Sequence, residues 1–377
     1  MSAFFDCVVV GGGPAGAVAA LTLARRGRRV VLLEKGSLPR FKPCAGGLSS
    51  EAFSLLGLSE LAGEVGRVHE VRILFDGTLP SLHHLAQPCI MVDRASFDKG
   101  LIDLAAAAGA EIAQRTEVTG FTPRGDLWQV ETNRGMFPAR KVIIADGALG
   151  KTAARAGFKK KYGLDGWAMA YEMPQTTPRN EMVVDLGILP YGYTWLFPKG
   201  PSLSIGVGVA KKHDDHRKIF DTLALFADRQ GVPFDRAQCR GQRIALWGGN
   251  QPLTLKDSFL LAGEAAALVD PLNAEGIRPA IKSGMAAGEA VDAALAGDAD
   301  AFLRYQRNMW TQLGREFAIA TRIVRFFFLF PALSYHTALF HPRATSIMNE
   351  VFVGSLAYSA ITDKVFAVLR KKILGIG

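Results

Sequence analysis

The stretch Cys7-Val8-Val9-Val10-Gly11-Gly12-Gly13-Pro14-Ala15-Gly16 decides the fold. An apolar run enters GxGxxG, a helix pattern follows, and Val30-Val31-Leu32-Leu33 then ends on Glu34-Lys35. Strand, glycine turn, helix, strand and terminal acid make up a dinucleotide-binding unit. Gly11 allows the tight turn, Gly13 lets backbone approach a pyrophosphate, and Gly16 lets the helix pack close to the sheet. The helix then turns its free N–H groups and positive dipole end toward the phosphates. Glu34 follows Gly16 by 18 residues, near the ~20 expected of an acid that binds ribose hydroxyls.

The chain has 377 residues, 49% of them hydrophobic, enough for a large core and two or three domains. Cys7, Cys44, Cys89 and Cys239 lie apart, without CxxC or metal spacing. That pattern excludes a disulfide framework, a zinc site and an iron–sulfur cluster, and fits a reducing compartment. Met1 to Asp6 carry no basic signal-peptide region, so the expected location is cytoplasmic. The apolar run Phe326 to Leu333 holds Pro331, follows Arg322 and Arg325, and is far short of the ~20 residues of a membrane span. A net charge of +9 favours anionic partners: a membrane surface, a phosphorylated substrate or an acidic redox protein. No nucleic-acid motif accompanies it, so no nucleic-acid partner is expected.

Working outward, the pattern predicts a helix over 49–61, strands over 68–75 and from 82, and a helix opening at Asp93-Arg94. One strand is expected over 112–121, another over 127–132, and a buried strand at Lys141 to Ala145 that ends in the Asp146-Gly147 turn. Period-two runs at 167–173, 182–186, 193–197 and 203–209 predict an antiparallel sheet inserted into the nucleotide unit, with a helix over 220–227. Ser258 to Glu264 returns to strand-then-helix, Ala280 to Leu295 reads as a small-residue helix, and helix continues from Ala301. The alternation puts Tyr193, Trp195 and Phe197 on one face, either the wall of a pocket or a sheet core. The seven histidines form no triad or metal pattern. His83-His84 and His213/His216 read as solvated, and His336 and His341 carry no assignable role. Arg278 reads as a surface charge.

Taken together, GGGPAG, Glu34, Arg94, Ala145-Asp146-Gly147 and Gly263-Glu264 … Asp270-Pro271 … Glu275-Gly276-Ile277 resemble the flavin-dependent aromatic hydroxylase superfamily. Lys42-Pro43-Cys44-Ala45-Gly46-Gly47 is similar to the cysteine-bearing flavin loop of the geranylgeranyl reductase family. Tyr193-Thr194-Trp195-Leu196-Phe197-Pro198 is similar to that family's YxWxFP signature. The likeness runs from residue 4 to about 300.

The resemblance implies an α/β fold: a Rossmann-like FAD-binding domain (residues 1–66, 91–155 and 250–300), an inserted antiparallel substrate sheet (67–90 and 156–249) and a C-terminal helical lobe (301–377). It implies FAD, with Gly11, Gly13, Pro14, Ala15 and Gly16 around the pyrophosphate, and Glu34 with Lys35 at the adenosine ribose. Cys44, Ala45, Gly47 and Val118 are implied beside the cofactor, and Arg94 against the pyrophosphate or ribityl chain. Asp146 either contacts the cofactor or orders its own loop. Gly263-Glu264 departs from the usual Gly-Asp pair at the ribityl chain, and the N–H groups of Gly276 and Ile277 would face the flavin pyrimidine edge. Cys44 is implied over the flavin ring as a catalytic group, with Tyr193 and Trp195; its plain alternative is a buried inert thiol. Tyr193, Trp195, Phe197 and Pro198 would line the substrate pocket. The implied activity is reduction of carbon–carbon double bonds in a geranylgeranyl or other polyprenyl group on a lipid or pigment, with NAD(P)H or ferredoxin as electron donor. A monooxygenase or halogenase, and an electron-transfer flavoprotein serving membrane quinone, are the rival readings. The phenylalanine-rich, basic lobe ending in Arg370-Lys371-Lys372 would make the protein peripheral to an anionic membrane, or else form a cap or dimer face.

Overall fold

The computed structural model describes residues 4–159, 163–210 and 216–329, together with Pro331, Ser334, Tyr358 and Ser359. The terminal Arg370-Lys371-Lys372, His213, His336 and His341 lie outside the described residues. Two eight-stranded sheets dominate what is described. The chain opens with β1 (Phe5–Val10), α1 (Pro14–Arg25) and β2 (Val30–Glu34). These strands pair in parallel and are buried on both faces, which is why they read as unbroken apolar runs.

After the loop over 35–46 come β3 (Gly47–Leu48), α2 (Ser50–Leu56), β4 (Glu64–Phe75) and β5 (Thr78–Val92). The helix expected over 49–61 is shorter at its end. Ser49 caps it by accepting from Ala52 N at 3.4 Å, and Gly57 at φ +62° stops it. Then follow α3 (Arg94–Ala107), β6 (Glu111–Gln114), β7 (Val118–Arg124), β8 (Leu127–Thr132), β9 (Gly135–Ile144) and α4 (Thr152–Ala156). The single strand expected over 112–121 is two. Arg115 turns to φ +54°, and Thr116 N bonds Glu34 O at 2.9 Å, so β6 stays beside β2 while β7 leaves to pair β8.

The second sheet continues with β10 (Gly163–Pro174), β11 (Glu181–Leu186), β12 (Gly192–Lys199), β13 (Ser202–Val209), α5 (His216–Arg229) and β14 (Arg240–Trp247). Its order is β14-β10-β13-β12-β11-β4-β5-β3. The pairings are antiparallel except β11 with β4, which run parallel. One face buries Leu196, Ile205 and Val207 against Leu223 and Phe226 of α5. The chain then returns to the first sheet through β15 (Thr254–Leu255) and β16 (Phe259–Leu261), parallel to β9. Where a helix start was expected at Gly263 there is only a 3-10 turn, Gly263–Ala266, and the helix expected over 280–295 is the long α6 (Ile277–Leu295). α7 (Ala301–Met309), a π turn at Trp310–Gly314 and α8 (Arg315–Leu329) follow. α1 and α6 pack closely because small residues meet: a Cβ on Gly284 would lie 2.3 Å from Ala15 O. The ends of β1, β9 and β16, the loop over 35–46 and the start of α6 converge at the carboxyl edge of the parallel sheet, where such folds bind ligands.

Candidate active site

The glycine turn divides its labour. Gly11 sits at φ +104°, and a Cβ there would lie 2.4 Å from Ala145 O. A Cβ on Gly16 would lie 1.9 Å from Gly11 O. These two glycines answer to packing inside the fold. Gly13 does not: a Cβ there would meet nothing closer than Arg40 Nη2 at 3.9 Å. Its openness faces outward, at the N-terminus of α1, which has no side-chain cap and no acid in its first turn. Pro14 occupies the first position, where a missing N–H costs nothing. Glu34 is buried, accepting from Gly12 N at 2.8 Å and from Gly36 N at 2.8 Å. Each carboxylate oxygen keeps a second lone pair for a ribose hydroxyl. Lys35 is exposed, and Arg40, in the loop over 35–46, lies 3.7 Å from Glu34.

Arg94 opens α3, whose N-cap Asp93 accepts from Ser96 N. It is buried rather than superficial, and Asp98 grips it bidentately at 2.9 and 3.0 Å. Burial works against its charge, but Asp98 and then Cys44 hold the guanidinium protonated well above the ordinary range. Arg40 reaches the same Asp98 at 3.9 Å. The half-buried Cys44 thus lies beside Arg94, and its sulfur accepts from Gly46 N at 3.4 Å. Gly47 begins β3 opposite Met91, with half-buried Ala45 two residues before it. Val118 is buried at the head of β7, its carbonyl accepting from Arg155. Of the other cysteines, Cys7 and Cys89 are buried in the core, whereas Cys239, just before β14, is half-buried.

Asp146 accepts from Thr152 N at 3.2 Å across its own loop, and burial raises its pKa. Glu264, one carbon longer than the usual aspartate, bonds Ala245 N at 3.2 Å and pairs with Lys42 at 3.5 Å. Gly263 N is taken by Ser283 Oγ at 2.9 Å. The loop before α6 hangs on Asp270, which is fully buried and accepts from Leu272 N at 2.8 Å and from Tyr358 OH at 2.8 Å. Arg278 is not a surface charge. It bonds Glu275 at 2.8 Å and Glu51 at 3.2 Å, and Glu275 in turn accepts from Ser49 Oγ at 2.7 Å, tying α2 to α6. The α6 N-terminus, Gly276 and Ile277, carries neither a side-chain cap nor an acid in its first turn.

Burial pushes the Asp270 carboxyl from 3.8 up to about 6, against its bonds to Leu272 and Tyr358 and the pull of Arg278. The folded chain therefore binds this proton more tightly than the unfolded one. Its contribution to stability is complete below 3.8 and is lost as pH rises through about 6. Asp270→Asn is expected to remove on the order of 2–3 kcal/mol from that pH-dependent fall, read from urea unfolding at a series of pH values. Equal slopes in variant and parent across this window would contradict it.

On β12 the expected face holds. Tyr193 and Trp195 lie against each other with ring centroids 5.9 Å apart and planes tilted by 48°, and Tyr193 and Phe197 join Val184, Met182 and Phe327 in one apolar cluster. Burial, then Cys44 and Asp270, raise the Tyr193 pKa, and its hydroxyl donates to Asn273 O at 3.3 Å. Pro198 falls on the opposite face, in register with Leu203, and the structure does not bring it to the wall. Nor is His83 solvated: it is buried, with Nε2 on Ser81 Oγ at 2.8 Å, and burial lowers its pKa. β5 alternates weakly and holds two prolines, so nothing local marked His83 as inward.

The open turn at Gly13, the two uncapped helix starts and the doubly bonded Glu34 fit an extended anionic dinucleotide, which defines the class: an FAD-dependent flavoprotein oxidoreductase. In agreement, residues 5–183 match the FAD binding domain family. The digeranylgeranylglycerophospholipid reductase of Methanocaldococcus jannaschii is 32% identical over 311 residues, covering 77% of this chain and 78% of that protein. A structure described as geranylgeranyl bacteriochlorophyll reductase-like, from Thermoplasma acidophilum, superposes with a TM-score of 0.83 at 21% identity, over 96% of this chain and 99% of the other. A flavin-dependent brominase shares the fold with a TM-score of 0.75 at 20% identity, over 98% of this chain and 100% of the other. The chain belongs to the geranylgeranyl reductase family of FAD-dependent flavoproteins. Among the described residues no helix is long and apolar enough to cross a membrane.

Proposed function

We propose that this oxidoreductase reduces carbon–carbon double bonds of a geranylgeranyl or other polyprenyl group carried on a lipid. The observation that carries the reading is the apolar cluster of Tyr193 and Phe197, with Trp195 against Tyr193, on the strand whose neighbour, β13, touches the Cys44 loop. The reductase named for digeranylgeranylglycerophospholipid in Methanocaldococcus jannaschii supports the same substrate class.

Bound FAD would supply hydride chemistry. Gly13 and the α1 N-terminus bind the pyrophosphate, Glu34 the ribose, and Arg94 offsets phosphate charge. The N–H groups of Gly276 and Ile277 stabilise negative charge on the ring through the α6 dipole. An isolated alkene accepts hydride poorly, so the wall serves to align the chain and exclude water. NAD(P)H or ferredoxin would supply the electrons. Phe326 and Leu329, exposed on α8 beside Arg322 and Arg325, suit contact with an anionic lipid surface. The division into cofactor domain, inserted sheet and helical lobe is read as binding, substrate holding and lipid contact respectively.

The test is anaerobic turnover of a digeranylgeranyl lipid with chemically reduced holoprotein. Mass spectrometry should show two hydrogens added per reduced bond. No mass gain, with rapid substrate-stimulated oxygen uptake under NADPH, would favour the monooxygenase reading. Cys44→Ser should keep the flavin but change the rate or extent of reduction, whereas unchanged turnover would make that thiol structural.

A further inference from the structure

Ser204 stands at a position where a sheet core would take an apolar side chain. Its neighbours Leu203 and Ile205 enter the cluster under α5, and Ser204 faces the other way with no exposure at all. A buried hydroxyl is tolerated when both its donor and acceptor functions are met. Here they are: Trp195 Nε1 donates to Ser204 Oγ at 3.3 Å, and Ser204 Oγ donates to the carbonyl of Cys44 at 3.4 Å. The indole is thus aimed along the sheet toward β13. It lies over Gly206, where a Cβ would come within 2.1 Å of Trp195 Cζ2.

Side chains also tie the Cys44 loop: Lys42 reaches Glu264 at 3.5 Å, and Gly46 N donates to Cys44 Sγ at 3.4 Å. The residues from Ser37 to Gly46 form neither helix nor strand, and Val92 N to Gly46 O, at 2.8 Å, is the next backbone tie. Beneath the loop runs the buried Lys199, its Cε 2.9 Å from where a Cβ on Gly46 would stand, its amine on Glu172 at 2.5 Å. Glu172 is the register partner of Ser204 across β10 and β13. The sheet therefore meets the loop at two neighbouring points.

We propose that Ser204 is a positioning residue for Cys44, and that Trp195 acts through it: the chain Trp195 Nε1–H, Ser204 Oγ–H, Cys44 C=O fixes where the thiol stands. This rests on the reading of Cys44 as the group beside the flavin. It changes the part given to Trp195, whose polar edge serves the loop while its ring serves the wall. Misplacement of a reacting group by about 1 Å can cost on the order of a hundredfold in rate, so a single long-range hydrogen bond suffices to matter.

The experiment uses FAD-loaded protein and two readouts. The first is the rate at which iodoacetamide labels Cys44, resolved by peptide mass spectrometry, with half-buried Cys239 as internal reference. The second is turnover on the digeranylgeranyl lipid. Ser204→Ala should change Cys44 labelling several-fold, leave Cys239 labelling and flavin content unchanged, and lower turnover by about tenfold or more. Ser204→Thr, which keeps the hydroxyl and suits a strand, should restore both. Trp195→Phe should shift Cys44 labelling in the same direction, and the double variant should add nothing further. Cys44 labelling at the parental rate in Ser204→Ala or in Trp195→Phe, with flavin retained, overturns the proposal, as does full additivity of the two. Labelling that shifts as expected while Cys44→Ser turns over normally upholds the clamp and instead removes the catalytic reading of Cys44.

Discussion

Gly13→Asp is expected to give folded, colourless protein. The position is the N-cap of α1, at φ −83°, and a side chain there meets only Arg40, 3.9 Å from its Cβ. Aspartate is a better N-cap than glycine by a few tenths of a kcal/mol, so stability is kept or slightly raised. The new carboxylate would take for itself the N–H groups and positive dipole end that the pyrophosphate needs. Like charges brought together cost several kcal/mol, which is about a thousandfold in Kd. Gly16→Ala offers the contrast. Its Cβ would lie 1.9 Å from Gly11 O, so that variant should fail through the fold itself. Absorbance of the purified variants, FAD titration and thermal melting separate the two cases. A yellow Gly13→Asp protein with parental FAD affinity would mean that this turn does not hold the pyrophosphate.

The parts legible in the sequence share one property: their signal is local. The first strand, its glycine turn and Glu34 lie within thirty residues, and backbone sterics alone fix their meaning. The aromatic face of β12 follows from a period of two, which brings the rings of Tyr193 and Trp195 together on one side. The parts that were not legible depend on partners far along the chain. Arg278 reads as a surface charge until Glu51, more than two hundred residues earlier, is seen beside it. Ser204 sits in Leu203-Ser204-Ile205, where alternation says only that it faces away from α5. What it faces, the carbonyl of Cys44, comes from a separation of 160 residues. The break at Arg115 has the same origin. Thr116 is drawn to the carbonyl of Glu34, a pull that no window around residue 115 contains. Pro198 shows the converse limit: a motif groups neighbouring letters, but the pleat sends Phe197 and Pro198 to opposite faces.

Asp98→Ala is expected to be the most damaging single change to stability outside the glycine turn. Arg94 and Asp98 stand four residues apart on α3, a spacing at which side chains meet. On an exposed helix such a pair contributes a few tenths of a kcal/mol. Here both side chains are almost wholly enclosed, at 6% and 1% exposure, with two hydrogen bonds between them. Removing the acid leaves a guanidinium that stays charged in the interior, which costs about 3–5 kcal/mol. A whole domain is stable by only about 5–15 kcal/mol, so the variant should melt far below the parent or fail to accumulate. Arg40, 3.9 Å from the same carboxylate, would keep Glu34 at 3.7 Å but lose Asp98, which leaves the two cations Arg40 and Arg94 without the acid they share. The double variant Arg94→Met with Asp98→Leu removes both charges and should recover most of the stability, because an apolar pair of similar volume replaces a buried ion pair at little cost. It should not recover flavin affinity, since the cation that offsets phosphate charge is gone. Urea unfolding of FAD-free protein measures the first effect, and FAD titration the second. An Asp98→Ala protein within about 1 kcal/mol of the parent would show that Cys44 and the surrounding backbone satisfy Arg94 without its carboxylate.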